Sequence, residues 1–321
     1  MKVLVVGAGQ MGGGIAHVAA LSGDEVTLLD REQRFVDAAI TTMRKNLDRG
    51  VEKGRVTAAD RDAALARITP AVQWGEFDVD VAIEAATENE ELKREIFRKL
   101  DAATPERTIL ASNTSSISIT QLAAVTKRPE RVIGMHYMNP VPVMKLVEII
   151  RGIATAPQTY ETIRALAVQH GKTPVEARNY PGFISNRILC PMLNEAVFAL
   201  QEGVGTVESI DTVMKLGMNH PMGPLELADF VGLDTLLAIM EVLVEGYGDP
   251  KYRPCTLLRE YVDAGWHGRK TGLGFYDWRS GERRTRTALT SSGVPAFASD
   301  GGGASADAVA STAASDGNGA R

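Results

Sequence analysis

Lys2-Val3-Leu4-Val5-Val6-Gly7-Ala8-Gly9-Gln10-Met11-Gly12 decides the fold of this chain. Five residues with a long apolar run read as a buried strand. A Gly-x-Gly-x-x-Gly turn follows, and Gln10 to Ser22 continues with helical periodicity. The three glycines have different tasks: Gly7 permits a tight turn, Gly9 lets backbone approach a pyrophosphate, and Gly12 lets helix and strand pack closely. The free N–H groups at the start of such a helix, with its positive dipole end, suit an anion. Glu25 to Asp30 reads as a second strand, and Asp30 at its end can accept hydrogen bonds from both hydroxyls of an adenosine ribose. A carboxylate there repels a 2′-phosphate and favours NAD over NADP, whereas the adjacent Arg31 is able to hold such a phosphate. The plainer alternative is a tight turn with Asp30 capping a loop; the motif's place between strand and helix argues against it.

Working outward, Val79 to Glu84, Thr108 to Ser112 and Arg131 to Met135 repeat the strand signature with helical stretches between. Lys145 to Ile150 and Gly152 to Ala156 read as further strands, and a charge-rich helical insert occupies about 32–66. This alternation predicts an α/β protein with a Rossmann-type, doubly wound, mainly parallel sheet. The pattern changes at Pro181-Gly182: from there to about Gly265 it is helical, interrupted by turns such as Pro221-Met222-Gly223-Pro224. The expected division is a dinucleotide-binding domain over 1–180, an all-helical domain over 181–279, and a disordered tail over 280–321, whose Gly, Ala, Ser and Asp cannot bury enough surface to offset ordering.

The bulk properties narrow the class. With 321 residues, 44% hydrophobic and 23% charged, the chain can build a substantial core, and its net charge of -5 speaks against a nucleic-acid partner. Its 2 cysteines, Cys190 and Cys255, lack CxxC spacing, so neither a disulfide framework nor a metal site is expected. A strand that starts at Lys2 leaves no room for a leader, and the run Leu233 to Val244 is too short to span a bilayer. These readings predict no membrane association and a cytoplasmic location.

Among 5 histidines, His136 stands out because it closes a predicted strand, at the edge where open α/β sheets place ligands. An imidazole titrates near neutrality and is suited to take a hydroxyl proton. Glu148 lies twelve residues on, and the intervening Asn139-Pro140-Val141-Pro142 forces a bend that is able to bring it back to His136. A carboxylate on one ring nitrogen would fix the tautomer and stabilise the imidazolium; a structural histidine and an ordinary strand-end acid remain the alternative. Ser112-Asn113-Thr114-Ser115-Ser116 follows another strand on the same edge and reads either as a substrate-oxygen site or as a capped loop. Asn186, near the start of a helix, reads either as a donor to a thioester carbonyl or as a packing residue.

Taken in order, these stretches, together with Pro181-Gly182-Phe183, Asn186-Arg187, Gly217 through Pro224 and Gly268-Arg269-Lys270-Thr271-Gly272-x-Gly274-Phe275-Tyr276, resemble the L-3-hydroxyacyl-CoA dehydrogenase family over about residues 1–278, with likeness to short-chain bacterial members. The resemblance implies NAD-dependent, reversible oxidation of a short (S)-3-hydroxyacyl-CoA such as 3-hydroxybutyryl-CoA to the 3-oxoacyl-CoA. It implies a catalytic base at His136, its carboxylate at Glu148, and substrate-oxygen contacts at Ser115 and Asn186. It adds cofactor contacts at Glu88, Lys93, Asn139 and Lys270, and a homodimer formed through the helical domain. An acidic protein that binds CoA needs a local basic patch, and Arg44, Lys45, Arg49, Lys53 and Arg55 of the insert supply one; with Asp48 and Glu52 interleaved they also read as a solvated helix face. A free hydroxy acid or an acyl-carrier-protein thioester would call for the same chemistry. A non-catalytic NAD-binding protein would be expected to lack His136 or Glu148, and both are present.

Overall fold

Alternation of apolar strands with amphipathic helices produces eight strands in one sheet, in the order β3-β2-β1-β4-β5-β6-β7-β8. The computed structural model describes residues 1–285. Strand β1 (Lys2–Val6) leads through the glycine turn into α1 (Gln10–Leu21), then β2 (Glu25–Leu29), the insert helices α2 (Gln33–Glu52) and α3 (Ala58–Ala66), and edge strand β3 (Ile68–Ala71). Next come β4 (Val81–Glu84), α4 (Glu90–Ala103), β5 (Ile109–Ser112), the short α5 (Ile119–Ala123), β6 (Val132–Tyr137), β7 (Leu146–Arg151), α6 (Pro157–Gln169) and β8 (Thr173–Arg178). The neighbouring pairs from β3 to β6 are parallel, β6 and β7 are antiparallel, and β8 runs parallel to β7.

Both faces of the central strands are buried, so these strands read as continuous apolar runs. One face packs Val3, Val5 and Ile83 against α1 and α2, and the other packs Leu4, Ala82 and Leu110 against α4 and α5. Side-chain caps set the helix starts: Thr57 accepts from the N–H of Asp60 to open α3, and Asn89 accepts from that of Leu92 to open α4.

The strand assignments need correction. Gly152 to Ala156 is not a strand: Thr155 Oγ1 accepts from the N–H of Gly152 and donates to the carbonyl of Val132, closing a turn. The eighth strand is instead Thr173–Arg178, and Ile68–Ala71 is a second unforeseen edge strand. Both contain proline, which an edge tolerates because one side of the backbone needs no ladder partner.

After β8 the chain turns through Gly182 (φ 73°) and Phe183 (φ 49°) into α7 (Ser185–Gln201). The helices α8 (Val207–Thr212), α9 (Pro224–Val231), α10 (Leu233–Tyr247) and α11 (Thr256–Asp263) follow and share a separate core built on Leu193, Leu236 and Leu258. This helical part ends in an anchored segment. The Asp229 carboxylate accepts from the N–H groups of Phe275 and Tyr276 and from the Trp278 indole. A Cβ on Gly274 would lie 2.0 Å from Asp229 Oδ1, so only glycine allows this approach.

The expected disordered tail begins too early: residues 284–285 form strand β10 (Arg284–Thr285), antiparallel to β9 (Tyr276–Asp277), a short hairpin appended to the helical part. The remainder of that tail lies outside the described residues.

Candidate active site

The turn after β1 has the dimensions of a phosphate cradle. Gly7 adopts φ 105°, and a Cβ there would sit 2.7 Å from the Ala85 carbonyl oxygen; one on Gly12 would sit 1.7 Å from the carbonyl oxygen of Gly7. A Cβ on Gly9 would meet nothing within 4 Å, so this backbone is open to a ligand. No side chain caps α1 at Gly9, which leaves the first N–H groups of the helix available to an anion. Asp30 accepts from the N–H of Ala8 (2.6 Å) and of Arg31 (2.7 Å), so its carboxylate is fixed beside the cradle. A cavity of about 610 Å³ extends from Gly7 and Gly9 past Asp30 to Trp74 and Lys99. Trp74 went unnoticed in the sequence because an isolated aromatic in a loop carries no periodic signal. The opening, the cradle and the ribose-side acid fit a dinucleotide.

The antiparallel β6–β7 pair places His136 directly opposite Glu148, on one face of the sheet. The His136 Nδ1 atom lies 2.9 Å from Glu148 Oε2, and its Nε2 lies 3.0 Å from the Ser115 hydroxyl oxygen. His136 and Glu148 are both buried. Glu148 also accepts at Oε1 from the backbone N–H groups of Ile184 (3.2 Å) and Ser185 (2.9 Å), and at Oε2 from the Ser185 hydroxyl (2.8 Å). Helix α7 has no side-chain cap of its own at Ile184; a carboxylate from the sheet occupies that end. Burial pushes the Glu148 carboxyl up, but the bonds from His136 and Ser185 outweigh it and hold it below the usual carboxylate range. An ionised Glu148 can only accept, so Nδ1 is the ring nitrogen that donates to it; in the neutral ring Nε2 is then the acceptor facing Ser115. The loop between the strands is tied down by Lys172, which donates to the carbonyls of Val141 and Met144, and by Gln10, which donates to Asn139 Oδ1 (3.1 Å).

Ser115 is held from behind. One oxygen of Glu88 accepts from the N–H groups of Ser115 (2.9 Å) and Ser116 (3.1 Å) and from the hydroxyls of Thr114 and Ser116. Burial raises the Glu88 carboxyl; the charge of Lys93 and the bonds from Thr114 and Ser115 overcome this and leave it lowered. Lys93 itself is only 1% exposed. Its ammonium donates to Glu84 Oε1 (2.6 Å) and the Ala86 carbonyl (3.1 Å), and Glu88 Oε2 lies 3.3 Å away. Lys93 therefore faces protein acceptors and does not line the cavity. Glu84, which also accepts from the Ser112 hydroxyl (2.6 Å), was visible in the sequence only as a strand end.

The other candidates are dispersed. Asn186, the second residue of α7, donates to the Ser115 carbonyl (3.2 Å) and so joins the His136 group. Asn139 lines a second cavity of about 390 Å³ between α1, α2 and the β6–β7 loop. Lys270 lies in the second part of the chain, pairs with Asp234 at 2.5 Å and lines neither cavity. Arg49 faces a shallow surface depression on α2 with Arg44 and Lys45, while Lys53 caps the helix end. Asp48 is engaged by Arg61 of α3 (3.1 Å), and among the described residues Arg44, Lys45, Arg49 and Lys53 make no ion pair. Nor do the described residues hold a group of three or more His, Cys, Asp or Glu able to take a metal.

A dinucleotide cradle on the same sheet as an imidazole–carboxylate pair defines a pyridine-nucleotide dehydrogenase. Comparison with known proteins makes this specific. Residues 2–180 match the 3-hydroxyacyl-CoA dehydrogenase NAD binding domain, and residues 182–278 match the C-terminal domain of the same enzymes. The chain is 55% identical over 278 residues to a probable 3-hydroxybutyryl-CoA dehydrogenase of Bacillus subtilis, covering 86% of this chain and 97% of that protein. It is 56% identical over 279 residues to a 3-hydroxybutyryl-CoA dehydrogenase of Bradyrhizobium diazoefficiens, covering 87% and 95%. The crystal structure of (S)-3-hydroxybutyryl-CoA dehydrogenase PaaH1 from Ralstonia eutropha superimposes with a TM-score of 0.84 at 52% identity, over 86% of this chain and 98% of that one. The chain belongs to the 3-hydroxyacyl-CoA dehydrogenase family, whose N-terminal domain binds NAD.

Proposed function

We propose that the protein catalyses the reversible, NAD-dependent oxidation of a short (S)-3-hydroxyacyl-CoA, 3-hydroxybutyryl-CoA in the first instance, to the 3-oxoacyl-CoA. The names of relatives at 55% and 56% identity support the substrate. The observation that carries the chemistry is His136, with Nδ1 on Glu148 and Nε2 turned toward Ser115.

Bound NAD supplies the hydride acceptor for C3, and Gly7, Gly9, Gly12 and Asp30 are the residues fitted to hold it. His136 Nε2 takes the substrate hydroxyl proton as the C–H bond breaks, and Glu148 stabilises the imidazolium that results. The Ser115 hydroxyl orients the reacting oxygen, which gains carbonyl character, and the Asn186 amide donates to the thioester carbonyl. Return of the proton from Nε2 to solvent resets the base. Glu88 and Lys93 act from behind, by fixing Ser115. Arg49, Lys53 and the unpaired Arg44 and Lys45 offer the CoA phosphates positive charge on a chain whose net charge is -5.

We assign 1–180 to the cofactor and 181–279 to substrate closure and self-association; the core built on Leu193, Leu236 and Leu258, separate from those on the two faces of the sheet, supports this division. Ile188, Val204, Val213, Leu216 and Met218 expose apolar surface on the second unit and support a homodimer through it. Sedimentation as a monomer at micromolar concentration would refute this. No helix among the described residues is long and apolar enough to cross a membrane, and Cys190 and Cys255 are unpaired; both support a cytoplasmic location.

The deciding assay follows absorbance at 340 nm with NADH and acetoacetyl-CoA, then with NADPH and with the N-acetylcysteamine thioester. Rapid oxidation of NADH with the CoA substrate and weak activity with the truncated one are expected. Turnover with carrier-protein thioesters or free hydroxy acids alone would overturn the substrate assignment.

A further inference from the structure

Glu148 accepts four hydrogen bonds, and they are unequally placed. Oε1 takes two backbone N–H groups, from Ile184 and Ser185. Oε2 takes the His136 ring and, at 2.8 Å, the Ser185 hydroxyl. Backbone donors cap α7 whatever the side chain at 185. The hydroxyl is different: it bonds to the very oxygen that His136 uses, and no helix cap requires it.

We propose that Ser185 is a positioning residue that sets the basicity of His136 by sharing Glu148 Oε2 with it. Each donor on a carboxylate lowers that carboxylate's affinity for a further proton. With the hydroxyl in place, Glu148 is a weaker acceptor toward Nδ1–H and stabilises the His136 imidazolium less. Without it, the negative charge on Oε2 is concentrated on His136, and the imidazolium becomes harder to deprotonate. The hydroxyl therefore keeps His136 available as a neutral base at lower pH.

The surroundings leave the hydroxyl's effect identifiable. Among the described residues, the charged groups on the packed elements hydrogen-bond to neither side chain of the pair. Arg151 of β7 meets Glu176 of β8 at 3.5 Å. Arg187 of α7 donates to the Tyr247 hydroxyl and lies over its ring. Glu88 and Lys93, behind Ser115, pair with each other. Lys145 precedes β7, and Arg178 ends β8. Among the described residues, none of these groups hydrogen-bonds to the side chain of His136 or Glu148; only Ser115, Ser185 and the backbone of Ile184 and Ser185 join the pair. The Phe183 ring closes the remaining side, 5.9 Å from the imidazole.

The inference rests on His136 being the base, so the test reads its protonation both with and without turnover. In Ser185→Ala the N–H donors remain and the hydroxyl is lost; Ser185→Thr restores a hydroxyl. NMR titration of the labelled imidazole in the intact apoprotein should show the His136 midpoint rising by about half a unit to one unit in Ala and returning in Thr. The acid limb of kcat/KM for hydroxyacyl-CoA oxidation should move up with it. So should the alkaline limb for 3-oxoacyl-CoA reduction, because the acid form then persists to higher pH. At the low-pH end, oxidation by the Ala variant falls up to about tenfold for a one-unit shift, a larger loss than at the plateau. An unchanged NMR midpoint in Ala refutes the proposal, as does a lower plateau in both directions with fixed limbs, which is the signature of a merely structural hydroxyl. An NMR midpoint that moves while both kinetic limbs stay fixed supports the role of Ser185 and instead overturns His136 as the catalytic base.

Discussion

Replacing Lys93 by Met tests how the Ser115 loop is held. The ammonium has three protons and three acceptors, Glu84, the Ala86 carbonyl and Glu88, and it is 1% exposed beside a Glu84 that is 0% exposed. Methionine fills a similar volume but leaves the Glu84 anion buried with only the Ala86 N–H and the Ser112 hydroxyl to stabilise it. Removing one member of a buried ion pair typically costs about 3–5 kcal/mol, chiefly the penalty of the charge left behind. For a chain of 321 residues, at about 2.1 cal/mol/K of unfolding entropy per residue, that corresponds to a fall in Tm of roughly 4–8 °C. The assay is urea unfolding of Lys93→Met, Glu84→Gln and the double variant, monitored by circular dichroism. The double variant buries no stranded charge and should recover at least about 2 kcal/mol relative to the sum of the singles. A loss below about 1 kcal/mol in Lys93→Met, or strict additivity in the double variant, would refute the idea that this pair is the electrostatic base of the loop.

Three further outcomes are expected. His136→Gln should lower turnover about 10²–10⁴-fold in both directions while the Kd for NADH, read by fluorescence, stays close to wild type; normal turnover would remove His136 from its role. Exchanging Arg49 and Lys53 for Glu should raise KM for acyl-CoA well above any change in KM for NADH, and equal changes would dissolve the phosphate patch. The third concerns Asp229, whose carboxyl is pushed up to about 6 by burial despite bonds from Trp278, Tyr276 and Phe275, with Asp211 adding repulsion. An acid that holds its proton more tightly when folded stabilises the fold most below its ordinary value, 3.8, and loses that contribution as pH rises through 6. Between those limits wild type should lose up to about 3 kcal/mol relative to Asp229→Asn in urea unfolding at stepped pH; parallel stability curves would contradict the titration.

What the sequence revealed and what it concealed divide along physical lines. The Gly7 to Gly12 turn and Asp30 were legible because backbone geometry there demands particular residues. The meeting of His136 and Glu148 was open to a reader of Asn139 to Pro142, since a short bend between strands restricts where the second one returns. Edge strands were less legible: Thr173–Arg178 is mostly exposed or half-buried and includes Pro174, so neither apolar continuity nor alternation announced it. Gly152 to Ala156 resembled a strand because nothing in one dimension shows Thr155 folding back onto Val132. Lys93 was readable as a ligand contact only through family resemblance; its engagement with Glu84 and Glu88 depends on three elements converging in space. Ser185 was hidden in the same way, since a serine at a helix start ordinarily reads as a cap.

The carboxylate of Glu148 has a double life that bears on how variants of it are interpreted. It serves the imidazole within the sheet, and it receives the first N–H groups of α7, the helix that opens the second half of the chain. Its hold on both partners depends on its own ionisation. If His136 is the base proposed above, neutralising Glu148 would weaken proton abstraction and loosen its bonds to the start of α7 at the same stroke. Any loss of activity in a Glu148 variant is therefore a mixture of chemistry and closure, and the two must be separated by altering the donors on either side while the carboxylate stays in place.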